Sequence, residues 1–440
     1  MIRTNRILLA WTLSVAALAG ETLVLENFTL IDGNGGPPVA NAAMIITGGR
    51  IKWAGAKTGL KAPAGAERRD LSGKFVMPGI INLHSHLGNG VDLTQDPKNF
   101  TRQNLARQLA LYASYGVTST VSMGSDQDLI FAVRSEQRAG RPKETRVFTA
   151  GRGFTGPAGY PTSAPGMKGV PYEVNSVDEV KKDVAELAGK KVDLVKIWVD
   201  DHLGKERKIP MDLSKAIISE ATKRKIKVAA HVFYLDDSKG LVNAGLRALA
   251  HSVRDKEVDD ELISAMKSKG AYQIATLTRE ISTFFFAKPG ELVNDPYFTR
   301  GLSPSLAALL KTPDFQKRML ADPDHPHGAE WLAMAKKNLK KLSDAGVKIG
   351  FGTDTGPPRR FQGFFEQWEM ELMVEAGMTP MQVITSASKT AAEYLGESKN
   401  LGTLQAGKWA DLIVLAKNPL ESIKNTRSIE TVLIAGNKAY

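Results

Sequence analysis

His84 and His86 stand two residues apart at the end of the apolar run 75–83. Residues at that spacing in an extended strand share a face, so both imidazoles can turn toward one metal ion. The chain has no cysteine, which excludes disulfides and thiolate sites and leaves nitrogen and oxygen as ligands. Lys196 interrupts the apolar run 194–199, where a charged ammonium is costly unless paired or modified. A lysine whose pKa is lowered by burial can react with carbon dioxide to form an anionic carbamate able to bridge two cations. The same lysine could instead snorkel out at the strand end. His231 follows the apolar run 226–230, His251 follows 245–250, and Asp354 ends 348–354. Each has a plain alternative taken singly: a hydrogen-bonded core histidine, or the N-cap of a following turn. Together they favour one site with two metals.

Something must bring these residues together. Apolar strand-like runs alternate with segments of helical period, the signature of βα units and a parallel sheet. Eight such runs end near His84, Val121, Thr149, Lys196, His231, His251, Ala275 and Asp354. Eight units predict a (β/α)8 TIM-type barrel, whose active site lies at the C-terminal ends of the strands. Helices are expected over 180–188, 214–225 and 328–345. The longest gap, 283–330, allows either a cover over the pocket or a loop packed outside the barrel. His325 and His327 repeat the two-residue spacing there, in a Pro- and Asp-rich loop that does not impose a shared face. Short strands at 22–31, 43–53, 411–415 and 431–434 predict a small β-sandwich domain built from both chain ends. The expected division is a signal peptide at 1–19, a β domain from 20–76 and 401–440, and a hydrolase barrel over 77–400.

Arg3 and Arg6 precede the apolar stretch 7–16, and Ala17-Leu18-Ala19 gives a small-residue cleavage pattern. This is the layout of a secretory signal peptide, so a secreted or periplasmic protein is expected. With 42% apolar and 24% charged residues the rest is globular in composition. Losing Arg3 and Arg6 takes the net charge from +11 to about +9. The basic residues are scattered among acidic ones without aromatic interleaving, so no nucleic-acid partner is expected. No membrane span is expected after cleavage, the partner is a small-molecule substrate, and a homo-oligomer is allowed.

The run 77–86, Met-Pro-Gly-Ile-Ile-Asn-Leu-His-Ser-His, and the run 402–415, Gly-Thr-Leu-Gln-Ala-Gly-Lys-Trp-Ala-Asp-Leu-Ile-Val-Leu, resemble the first-strand motif and the return to the β domain of the amidohydrolase superfamily. The resemblance covers nearly all of the mature chain and is similar in pattern to its imidazolonepropionase-like and Xaa-Pro dipeptidase-like members. It implies that His84, His86 and Asp354 hold the more buried of two divalent ions, expected to be Zn2+. His231 and His251 would hold the more exposed ion, with carbamylated Lys196 bridging the two. Mononuclear deaminase relatives commonly carry a glutamate three residues after the fifth-strand histidine; Tyr234 stands there, which favours a binuclear hydrolase.

Two cations would acidify a bridging water, and the resulting hydroxide would attack an amide or peptide carbonyl while Asp354 moves the proton. The expected substrates are a small amide, an N-acyl amino acid or an Xaa-Pro dipeptide. A phosphotriesterase- or lactonase-like hydrolase, a mononuclear deaminase or cyclic amidase, and a non-catalytic binding protein are the other readings. Tyr234, Arg152, His202 and Arg279, just beyond strand ends, are the candidates for substrate binding.

Overall fold

The computed structural model describes residues 22–440, and the export-signal reading of 1–19 lies outside them. Eight parallel strands close into a barrel: Ile80–Ser85, Val117–Ser122, Arg146–Thr149, Val195–Trp198, Val228–His231, Ala248–Ala250, Tyr272–Ile274 and Lys348–Gly350. Neighbours pair in parallel register. Two seams complete the ring. Asp193 N donates to Thr149 O at 2.9 Å between the third and fourth strands, and Leu83 N donates to Phe351 O at 2.8 Å between the first and eighth.

Side chains alternate across the barrel wall with the period of two that a strand imposes. Ile81, Leu83, Val121, Leu194, Ala229 and Ala248 belong to the inner cluster. Ile80, Val117, Val195, Ile197, Val228 and Leu249 face the surrounding helices. Each large aliphatic side chain so buried contributes roughly 1.5–3 kcal/mol.

Both chain ends meet in one eight-stranded mixed sheet, in which Leu412–Leu415 lies between Ile429–Ile434 and Phe75–Pro78, and Phe75–Pro78 pairs in turn with Thr22–Leu30. Leu412 and Val414 enter the core of this sheet, while Ile413 and Leu415 enter that of the barrel. One strand thus has two apolar faces, which explains its unbroken Leu-Ile-Val-Leu sequence.

The segment after the seventh strand forms short helices, Pro296–Thr299, Pro304–Leu309 and Pro313–Leu320, and then the long helix His325–Asp344. Each short helix is announced by the same chemistry. Asp295, Ser303 and Thr312 cap the first turn and a proline follows, where its missing N–H costs nothing. Phe286 and Phe298 pack on Phe361 and Phe364 at 5.5 and 5.0 Å between ring centroids. The insertion therefore rests against Phe364–Glu375, the helix after the eighth strand. His325 and His327 open the long helix, and His327 stacks on Trp331 at 5.5 Å.

Candidate metal centre

Simple alternation from Leu83, which points inward, would turn His84 outward. The register corrects this: between Asn82 and Ser85 the first strand spends three residues where its neighbour spends two, from Thr120 to Ser122. Such a bulge shifts the alternation by one, and His84 and His86 now face the barrel mouth. There His84 Nε2 and His86 Nε2 lie 3.3 and 3.0 Å from Asp354 Oδ1. One ligand atom from each of the three falls within 4.8 Å of the others. Lys196 and His231 need no such device, since they follow inward-facing Leu194 and Ala229 by two residues.

The four imidazoles form a chain, with ring centroids 5.5 Å apart for His86 and His84, 4.7 Å for His84 and His251, and 4.3 Å for His251 and His231. His251 and Asp354 have φ of 97° and 58°, conformations that L-residues rarely adopt and that cluster at functional sites. Two glycines make room for this crowding. A Cβ on Gly352 would come within 2.9 Å of His84 Cβ, and one on Gly124 within 2.9 Å of Lys196 Cγ.

Neighbouring groups fix the ring orientations. His86 Nδ1 bonds Ser125 Oγ at 2.9 Å, His251 Nδ1 bonds Thr276 Oγ1 at 2.6 Å, and His231 Nε2 bonds Asp200 Oδ2 at 2.7 Å. This leaves Nε2 of His86 and His251, and Nδ1 of His231, for a cation, in the manner of outer-shell partners that orient metal-binding imidazoles. Both ring nitrogens of His84 and Nζ of Lys196 are buried without a hydrogen-bond partner, a cost of about 1–3 kcal/mol per group. Burial, followed by the charge of Lys196, takes the pKa of His84 and His86 well below the ordinary histidine value. Burial takes His231 to about 3 despite Asp200. The rings are therefore neutral at neutral pH, as ligation requires. Burial alone brings Lys196 down to about 7, which supplies the unprotonated amine that carbamate formation needs. The donor set fits divalent cations: neutral imidazoles, a carboxylate and a reactive buried amine converge, and two of those groups have no bonding partner without one.

A carboxylate behind the wall ties the first and eighth strands together. Glu366 is fully buried and accepts from Asn82 Nδ2, Thr353 Oγ1 and Thr355 Oγ1 at 2.8, 2.7 and 2.7 Å, and from Gly363 N at 2.6 Å. Asn82 Oδ1 in turn accepts from His84 N at 2.9 Å. The residues on both sides of Asp354 are thus anchored to the strand that carries the histidine pair.

The cavity above the candidate ligands has a volume of about 60 Å3 and is lined by His86, His231, His251, Asp354, Tyr160 and Arg360, with Trp198, Met167 and Pro161 as apolar wall. None of the four substrate-binding candidates lines this cavity. Arg152 donates to the carbonyls of Val170, Gly169 and Pro171 and lies 4.2 Å from the Tyr172 ring. The Tyr234 hydroxyl donates to Asp201 at 2.7 Å. His202 sits at the rim between Glu206 and Asp324, 3.2 and 3.6 Å away, with its ring 5.5 Å from that of Tyr160. Arg279 is buried and donates to Glu280 at 2.8 Å. Sequence reasoning passed over Tyr160, Arg360 and Asp200. Asp200 had a signal, since it lies just beyond the fourth strand; Tyr160 and Arg360 lie in Gly- and Pro-rich loops, where spacing carries no direction.

This closed barrel gathers at its mouth a donor set that fits a divalent cation. The model of the amidohydrolase family matches residues 75–439, and the chain belongs to that family, whose members are generally metal-dependent and hydrolyse carbon–nitrogen bonds. Among its relatives is the ochratoxinase of Aspergillus niger, 27% identical over 432 residues, covering 90% of this chain and 81% of that protein. The imidazolonepropionase of Streptomyces griseus subsp. griseus is 23% identical over 397 residues, covering 87% and 88%. A Xaa-Pro dipeptidase crystallised with methionine in its active site has a similar fold, with a TM-score of 0.73 over 95% of this chain and 99% of that one, at 23% identity. No helix among the described residues is long and apolar enough to cross a membrane.

Proposed function

We propose that the chain is a binuclear metal-dependent amidase acting on a small molecule, with N-acyl amino acids and Xaa-Pro dipeptides as the first substrates to test. The observation that carries this reading is Lys196 Nζ, buried without a hydrogen-bond partner among candidate ligand side chains that reach the site from four other strand ends. His84, His86 and Asp354 would hold one divalent ion, His231 and His251 a second, and carbamylated Lys196 both; Zn2+ suits these donors. Bound there, the ions would acidify a water and polarise the scissile carbonyl. The chain does the rest. Asp354 takes the proton of the attacking water and delivers it to the leaving nitrogen, Asp200 keeps His231 in one tautomer, and the apolar wall limits competing water. The names of the ochratoxinase and dipeptidase relatives suit substrates of this size. Residues 1–19 fit an export signal, so the mature enzyme would work outside the cytoplasm; N-terminal sequencing of the exported protein tests that. Elemental analysis of protein purified with bicarbonate and without chelator tests the centre. About two ions per chain are expected; one would move the reading to a mononuclear deaminase or cyclic amidase, and none after reconstitution would end it.

A further inference from the structure

Three guanidiniums gather at the mouth, and not all of their nitrogens find hydrogen-bond partners. Arg360 lines the cavity beside the ligands, and its Nη1 pairs with Asp354 Oδ2. Behind it, Arg279 donates to Glu280 Oε2 at 2.8 Å. Arg254, whose side chain is fully buried, stands 3.3 Å from Glu280 Oε1. That approach is close enough for attraction but too poorly aligned to bond, because Arg254 Nε and Nη2 and Glu280 Oε1 all lack hydrogen-bond partners. The charges of all three arginines bear on Tyr160, which lines the cavity. Glu280 thus serves two guanidiniums and Asp354 the third, and Asp324, which also faces His202, adds its charge at Arg279 and Arg360.

Asp354 is also a member of the ligand group. A carboxylate committed to a cation has little charge left for Arg360, and a guanidinium only 19% exposed is unfavourable without an anion. The planar fork of an arginine matches a carboxylate with two parallel hydrogen bonds.

We propose that Arg360 is the specificity residue of this enzyme, receiving a carboxylate of the substrate beside the scissile amide, with Arg254 and Arg279 reinforcing the positive field behind it. The inference rests on the amidase reading and narrows it: the substrate is an acylated amino acid or dipeptide with a free carboxylate, not a neutral amide.

The probes are N-acetyl-L-leucine and N-(3-methylbutyl)acetamide, the same molecule with hydrogen in place of the carboxylate. In metal-loaded wild type, kcat/KM should favour the acid by about 10²-fold or more, the scale set by leaving a buried polar group unpaired. Arg360→Gln should bring the ratio toward one and Arg360→Lys should restore part of it. Calorimetric binding to the Asp354→Asn protein reads the same preference without turnover: the acid should bind at least about tenfold tighter, and the advantage should vanish in Asp354→Asn/Arg360→Gln. Equal binding of the two probes, or an advantage that survives removal of Arg360, overturns the inference. Failure to hydrolyse any amide in a broad panel would instead remove the amidase reading, which the binding difference does not depend on.

Discussion

Two rings of polar residues surround the barrel mouth, one on the strands or directly at their ends and one on the segments further out, and they obey different rules. On the strands, the backbone decides direction. Lys196 and His231 inherit the inward face of Leu194 and Ala229, and the bulge between Asn82 and Ser85 re-aims a whole histidine pair. In the loops, polar groups first satisfy the loop itself. The guanidinium of Arg152 is spent on three carbonyls and the Tyr234 hydroxyl on Asp201. A strand position states where a side chain points; a loop position states only what the side chain is.

The strand ring should therefore be intolerant of change and the loop ring lenient. The largest effect is expected for Lys196→Ala: metal content and turnover both fall to background, and added short carboxylic acids restore part of each by standing in for the carbamate. Full activity without rescue would end the bridging role. Asp354→Asn should keep part of the metal and lose about 10²–10⁴-fold in kcat, and an unchanged kcat would take Asp354 out of proton transfer. Glu366→Gln turns an acceptor of four donors into a group that must itself donate. Metal affinity should drop by about 10–100-fold with little change in the far-UV spectrum; an unaltered affinity would confine Glu366 to packing.

Carbamate formation should depend on pH in a particular sense. The Lys196 pKa is lowered by burial to about 7, so the reactive neutral amine dominates above that pH and is lost below it. Bicarbonate-dependent metal loading, followed by 13C NMR of labelled carbamate, should rise as pH increases through about 7. A flat profile from pH 6 to 9 would count against it. The smallest effect belongs to the loop ring. Arg152→Ala should cost about 1–3 kcal/mol of stability in urea unfolding while kcat/KM stays within a fewfold of wild type; a collapse in kcat/KM at unchanged stability would return Arg152 to the site.

The barrel and its candidate ligand positions were legible because both depend on periodicity. Alternating apolar strands give the ring, and a polar residue at the end of an apolar run is conspicuous at His84, Lys196, His231, His251 and Asp354. The bulge was not legible: alternation alone misdirects His84, and only pairing with the second strand shows the extra residue. Nor were Tyr160 and Arg360, because a loop's course is set by contacts with distant segments that no local pattern encodes. The insertion after the seventh strand was read as a gap because its helices are short, yet Asp295, Ser303 and Thr312, each followed by proline, mark their starts.

Phe75–Pro78 and Leu412–Leu415 lie side by side, although the whole barrel separates them in sequence. The first of these strands leads directly into the barrel's opening strand, and Gly79 N at that junction donates to Asp411 O at 3.0 Å. A ribosome must therefore make the whole barrel before the sheet can close, and until then an apolar edge stands open. Such late, long-range closure slows folding and invites aggregation. Deleting residues from 411 onward should yield insoluble protein, even though every candidate ligand precedes the cut.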